Sequence, residues 1–311
     1  MQDTSISPVQ FPDWFSPVFV KELRQGLRAN SFVLPFIGAQ ILAILAVLLE
    51  MVLGYFGSRA GMSGGIMTSG GFFFPFLFLV FSLAMPLTLF GALQPEISSG
   101  RNVELLLMSN LSRWQIVRGK FLVGCVLSGL MMISLLPYLL IRYFVGEIEL
   151  TTSMGNVAAL MWGNALMNAI VIGSSGIRNY VGRVFMILLI TISYSIVSSV
   201  MGIAITSGGG TMALMMSMVG SSLLYIVLGL QLGRARLRVF ENPLDPPSIA
   251  LVIALIILSP IILGITMGLF LAAGGTWGRV AGGLVVVGLL TLSLLLDREP
   301  GKTHFGNWTQ P

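Results

Sequence analysis

The chain has one cysteine, one histidine and few charges. Cys125 stands alone inside an apolar run, which excludes a disulfide framework and any Cys/His metal spacing. His304 lies in the C-terminal tail, so the serines of the Gly173-Ser174-Ser175-Gly176 string have no histidine base within their own segment. No G-x-x-x-x-G-K-[ST] string occurs, and the glycine-rich stretch 57–71 has no lysine, so the chain has no phosphate-cradling loop of that kind. H-E-x-x-H and aspartate-rich motifs are also missing, and catalysis by this chain is not expected. The first 30 residues carry Asp, Pro, Lys and Arg and no early apolar run, which speaks against a cleavable signal peptide.

The scarcest property is charge. Charged residues make up 9% of the sequence, against about 25% in a soluble domain. Apolar residues fill 55% of it, and the mean hydropathy is +0.93. This composition points to an all-α polytopic membrane protein, treated as a single transmembrane domain over residues 1–311. Continuous apolar runs fall at 32–55, 72–93, 121–141, 156–176, 184–205, 212–232, 248–273 and 280–296. Each approaches the roughly 20 residues that a spanning helix needs, and none alternates as a barrel strand does. The sequence therefore predicts about eight transmembrane helices.

Lys and Arg set the expected direction. An N-in, C-in arrangement puts 14 of the 17 cations on the cytoplasmic side and leaves Arg59, Arg142 and Arg279 outside. The arm 1–30, the loop 94–120 and the tail 297–311 are then cytoplasmic. The net charge of +5 is spread along loops beside apolar runs, so it reports topology and gives no sign of nucleic acid.

Ser16-Pro17 is a good helix start, with a capping hydroxyl followed by proline at the first helical position. Phe19, Leu23 and Leu27 then recur every four residues, while Lys21, Glu22, Arg24, Gln25 and Arg28 occupy the other side. This pattern predicts an amphipathic elbow helix in the headgroup region, with its basic face toward anionic membrane lipid.

Residues 94–120 are the longest charged, amphipathic interruption between apolar runs. Pro95 ends the second run, and residues 103–108 read as a short helix built on Leu105, Leu106 and Leu107. Ser109-Asn110 breaks that helix. Ser112 starts another, with Gln115 placed to complete a capping box. An apolar ridge flanked by Glu96, Arg101, Glu104 and Arg113 suits docking into a groove of a cytoplasmic partner.

The run Glu96…Gly100…Glu104-Leu105-Leu106-Leu107…Ser109…Leu111-Ser112-Arg113…Ile116-Val117…Gly119-Lys120 resembles the cytoplasmic coupling loop of ABC-2 type transporter permeases. Residues 17–24 resemble that family's amphipathic helix ahead of the first span. Asn110 stands where the family often has proline, and the simple family member has six spans. The resemblance implies a permease subunit of an ATP-driven ABC transporter, with a coupling helix seated in a separate ABC ATPase subunit. It implies pairing with a second permease chain, as homodimer or heterodimer, in a bacterial inner (cell) membrane. ATP and Mg would sit on the ATPase, and this chain would bind no cofactor and no metal. The lack of an outer domain and the apolar spans suggest export of an amphipathic or lipid-like substrate.

Within the spans, Glu50 is the one carboxylate well inside an apolar run. It could bind a proton or cation or contact a substrate, or it could lie near the outer interface, hydrated there or paired with Arg59. Asn156, Asn164 and Asn168 form a stripe that should face protein or a water-filled path, and Glu50, Asn164 and Asn168 are candidates for an intramembrane polar site. The pairs Gly229/Gly233, Gly264/Gly268 and Gly278/Gly282 would permit close helix packing. Two alternatives remain at this level: an ion-coupled secondary transporter using Glu50, and a membrane scaffold whose loop recruits a cytoplasmic protein.

Overall fold

The computed structural model describes residues 17–59, 71–94, 113–146, 150–206, 211–237, 249–273 and 276–296. No strand occurs among them. Helix α1 spans Pro17–Arg28 and α2 spans Asn30–Arg59. Next comes α3, Phe73–Leu87, interrupted by a π-helical turn at Val80–Ala84. The remaining helices are α4 (Arg113–Gly146), α5 (Leu150–Ser175), α6 (Tyr180–Thr206), α7 (Thr211–Arg236), α8 (Ile249–Ala273) and α9 (Thr276–Leu296).

Six of these helices, α2 and α4 to α8, are long and apolar enough to cross a membrane. That differs from the eight expected from the apolar runs. The second run yields the shorter helix Phe73–Leu87, because Pro86 has no N–H to continue an α-helical ladder and the chain goes on in i→i+3 turns as far as Gln94. The described apolar part of α9 is the short stretch Leu284–Leu294. The second segment nevertheless runs the length of the bundle. Its start, Phe73, is hydrogen-bonded to Glu50, and its end, Leu93, flanks Gly233 together with Val117. Between Val117 and Arg142, α4 covers the same path in about 37 Å.

One helix is longer than its apolar run. The run 121–141 placed Arg142 in an outer loop, but α4 continues to Gly146, and Arg142 is buried within it. The side chains that face outward along the long helices are apolar, such as Leu34, Ile133, Phe144 and Val181, as expected of a lipid-facing surface.

The interior divides into two packing units. One gathers Phe19, Phe32, Phe73, Leu77, Phe81 and Met131 from α1, α2, α3 and α4. The other gathers Ile116, Ile170, Tyr225, Ile256 and Val286 from the start of α4, the second half of α5, and α6 to α9. Helices α4 and α5 belong to both.

The tightest seam in the second unit lies between α5 and α7. A Cβ on Gly173 would overlap the Gly229 carbonyl, and one on Gly229 would meet Ala169 O at 2.8 Å. Of the three expected glycine pairs, Gly229/Gly233 thus makes a backbone contact, whereas a Cβ on Gly264 would meet nothing within 4 Å. The surroundings of positions 268, 278 and 282 are outside what the structure describes. In the Gly-Ser-Ser-Gly string, Ser174 donates to Ile170 O at 2.9 Å and Ser175 to Ile172 O at 2.7 Å, so both hydroxyls serve packing. Hydroxyls also tie α6, α7 and α8 together. Ser193 donates to Ile256 O at 2.7 Å, which leaves Tyr225 to donate to Ser193 at 2.7 Å. Gln231 and Ser293 exchange two 2.9 Å hydrogen bonds across α7 and α9. With no water in the hydrocarbon, such internal partners are required.

Gly173→Ala is therefore expected to lower the thermal midpoint in detergent by several degrees, since the backbones must separate. Gly264→Ala should leave it unchanged or slightly raised, because alanine is the better helix former by about 1 kcal/mol. Equal effects of the two substitutions would contradict the seam.

Candidate functional site

Two polar regions lie at opposite ends of the bundle, and a third lies between them. The first surrounds the flanks of residues 95–112. Helix α1 is described from Pro17, its expected cap Ser16 lying outside the described residues, and it packs along the first half of α4. Phe19 is buried and Leu23 half-buried, but Leu27 is 41% exposed. The contact face is rotated from the expected stripe. Gly26 lets α1 approach until a Cβ there would meet Leu127 at 3.1 Å, and Glu22 turns inward with the apolar residues. Its Oε1 accepts a 2.8 Å hydrogen bond from the buried Lys120 Nζ. Lys21, Arg24 and Arg28 stay exposed, as expected of a basic outer face.

At the head of α4, Trp114 carries the Arg118 guanidinium at 4.4 Å and that of Arg234, from the end of α7, at 6.0 Å. On the other flank, Leu93 N–H donates to Ser175 Oγ at 3.3 Å. Arg183 closes the α5–α6 turn by donating from Nε to Ile177 O at 2.6 Å and reaches Phe90 O at 3.4 Å. The described flanks of residues 95–112 are thus fastened to the bundle close together, with Leu93 and Val117 both beside Gly233. Arg113 is half-buried at the first residue of α4. Glu96, Arg101, Glu104, Leu105, Leu106 and Leu107 lie outside the described residues, as does the expected cap Ser112.

The second region centres on Glu50. Hydration or pairing with Arg59 was one reading of this residue; its ion-pair partner is Arg142, with Nε 2.7 Å from Glu50 Oε2. Glu50 Oε1 accepts the Phe73 N–H at 2.8 Å, at the start of α3. Both side chains of the pair are at most 5% exposed. The guanidinium lies over the Phe74 and Phe73 rings at 5.1 and 5.7 Å, and its Nη2 has no hydrogen-bond partner among the described residues. Gly71 makes room: its φ is +52°, and a Cβ there would overlap the Glu50 carboxylate. Both carboxylates among the described residues, Glu22 and Glu50, are therefore held in ion pairs. The sequence marked Glu50, Arg142 and Lys120 as polar residues near apolar runs, but pairings between residues 92 and 98 positions apart leave no local signal.

The third region is the asparagine stripe. Asn164 and Asn168 are buried, while Asn156 is exposed. Asn164 Nδ2 donates to Phe81 O at 2.6 Å, and Asn168 Nδ2 donates to Asn164 Oδ1 at 2.9 Å. Asn168 Oδ1 has no hydrogen-bond partner among the described residues. Among these residues no three His, Cys, Asp or Glu side chains are grouped to hold a metal ion.

No family model, no curated protein and no solved structure matches the chain.

Because removing one member of a buried pair strands the other charge, Glu50→Gln or Arg142→Met alone should cost about 3–5 kcal/mol. Glu50→Gln retains an acceptor for Phe73 N–H. The double variant Glu50→Gln/Arg142→Met should therefore cost much less than the sum. Thermal unfolding in detergent of the four proteins checks this; strict additivity would contradict the pair.

Proposed function

We propose that the chain is the permease subunit of an ATP-driven ABC transporter, coupled through residues 94–120 to a separate ATPase subunit and acting as an exporter. The observation that carries this reading is a contact between the two stretches that bear the resemblance. The amphipathic helix α1 and the Gly119-Lys120 end of the loop motif lie almost 100 residues apart in sequence, yet the half-buried Glu22 and the buried Lys120 form an ion pair at 2.8 Å. A partner pressing on the loop would act on α4 and α1 together. Helix α4 is continuous for 34 residues from Arg113, so a displacement at its head is carried through the bundle.

In this reading, the end of the bundle that carries α1, the loop and the exposed Lys21, Arg24, Arg28 and Arg118 faces the cytoplasm, as the Lys and Arg bias requires. The segment 73–94 returns the chain to that end, which supports N-in, C-in whether or not it counts as a full span. Two permease chains, alike or different, would form the path in a bacterial inner membrane, with ATP and Mg held by the ATPase. A substrate of amphipathic or lipid-like character fits the apolar walls. Ion coupling through Glu50 is the weaker reading, because Arg142 and the Phe73 N–H already occupy both carboxylate oxygens.

Purification in mild detergent from the native host should recover a nucleotide-binding subunit carrying a Walker A motif. Replacing Leu105, Leu106 and Leu107 by serine should abolish that association. Glu22→Lys should reduce transport at least tenfold while leaving the association intact, and the swap Glu22→Lys/Lys120→Glu should restore most of it. Association that survives the triple serine change would sink the coupling assignment.

A further inference from the structure

The π-helical turn in α3 leaves the Phe81 carbonyl without a partner in its own helix. Met85 N–H reaches back five residues to Val80 O. Phe81 O would take Met85 N–H in an α-helix or the residue-86 N–H in a π-helix. The first is already used, and Pro86 has no N–H. A buried carbonyl in that position needs another donor. Asn164 Nδ2 supplies it at 2.6 Å from the facing helix α5, and Asn168 fixes the amide by donating to its Oδ1 at 2.9 Å. Asn164 is 1% exposed and Asn168 fully buried, so water cannot take over either bond.

We infer that Asn164 is a positioning residue that holds α3 in its π register and thereby sets where the chain enters the coupling loop. The competing register is an α-helix in which Met85 N–H pairs with Phe81 O and Asn164 loses its acceptor. Removing the extra residue of a π turn rotates everything beyond it by about 100° and shifts it by about 1.5 Å along the axis. The start of α3 cannot absorb this, since Phe73 N–H is tied to Glu50. The movement must fall on the segment from Pro86 to Gln94. Leu89 packs there against Gly124 of α4, and Leu93 against Gly233 and Ser175. Asn164 lies where the two packing units meet, with Phe81 in one and its own neighbours Leu166 and Ala169 in the other. One loop flank, α4, is a continuous helix, whereas the other follows a π turn whose open carbonyl is held by the Asn164 amide.

The functional half of this inference rests on the permease reading; the structural half does not. The test uses the full-length chain in membranes, with Cys125→Ser as background and the pair Leu89→Cys/Gly124→Cys. Mild oxidation should cross-link the pair, and its failure to do so would contradict the placement of Leu89 on α4. Adding Asn164→Leu should lower the cross-link yield at least fivefold. Asn168→Ala, which leaves Phe81 O paired, should keep the yield within twofold. In the native-cysteine protein, Pro86→Ala offers Phe81 O an N–H of its own helix. The thermal penalty of Asn164→Leu should therefore shrink by at least half in that background, an outcome that nonspecific misfolding would not give. Equal cross-linking with Asn164 or Leu at position 164, or an equal penalty in both residue-86 backgrounds, overturns the register assignment. If the register responds as stated but the ATPase partner's rate is unchanged by Asn164→Leu, the register assignment stands and the coupling role falls.

Discussion

Inside a lipid-facing bundle, a charge or a free backbone group has no water to turn to, so each must find its partner within the protein. This constraint decides where the polar residues of the chain go. Glu50 and Arg142 fasten α2 to α4 and cap the start of α3, while Glu22 and Lys120 fasten α1 to α4 at the other end. Asn164 takes the carbonyl that Pro86 leaves open. Each bond joins elements distant in sequence, and together they fix how α1, α2 and α3 lie against α4 and α5.

The two packing units are held differently. The unit of α6 to α9 is bound to α5 by backbone contact at Gly173 and Gly229 and by reciprocal hydroxyl and amide bonds. These contacts leave little room for adjustment. The unit of α1 to α3 leans on α4 through two ion pairs and an apolar cluster. It contains the π turn and the i→i+3 turns after Pro86, which makes it the more adaptable of the two. The described flanks of residues 95–112, the end of the segment 73–94 and the start of α4, contribute Leu93, Ile116 and Val117 to the second unit.

The helical, membrane-spanning character was legible from the apolar runs because a stretch of about 20 residues without charge has few other uses. The helix expected ahead of the first run is found as α1, and the helix expected to lead into the third run is found as α4. The extent of individual helices was less so. Arg142 ended a run on hydropathy, yet a buried carboxylate on another helix let the helix continue through it. The second run looked uniform in composition, but the effect of Pro86 on the hydrogen-bond ladder shortened its helix. Glu22 was placed on the wrong face of α1, because a period of four cannot anticipate a lysine nearly 100 positions away. Asn164 was visible as a polar candidate, but the carbonyl it satisfies became evident only from the backbone of α3.

We propose that mechanical input enters this chain through residues 94–120 from a nucleotide-hydrolysing partner. A photo-reactive amino acid at position 106 in the full-length protein, activated by light in native membranes, tests it most directly. One dominant adduct with a Walker A-containing subunit is expected, whose yield changes when ATP hydrolysis is trapped. Adducts confined to lipid, or a dominant adduct with a protein that binds no nucleotide, would contradict it.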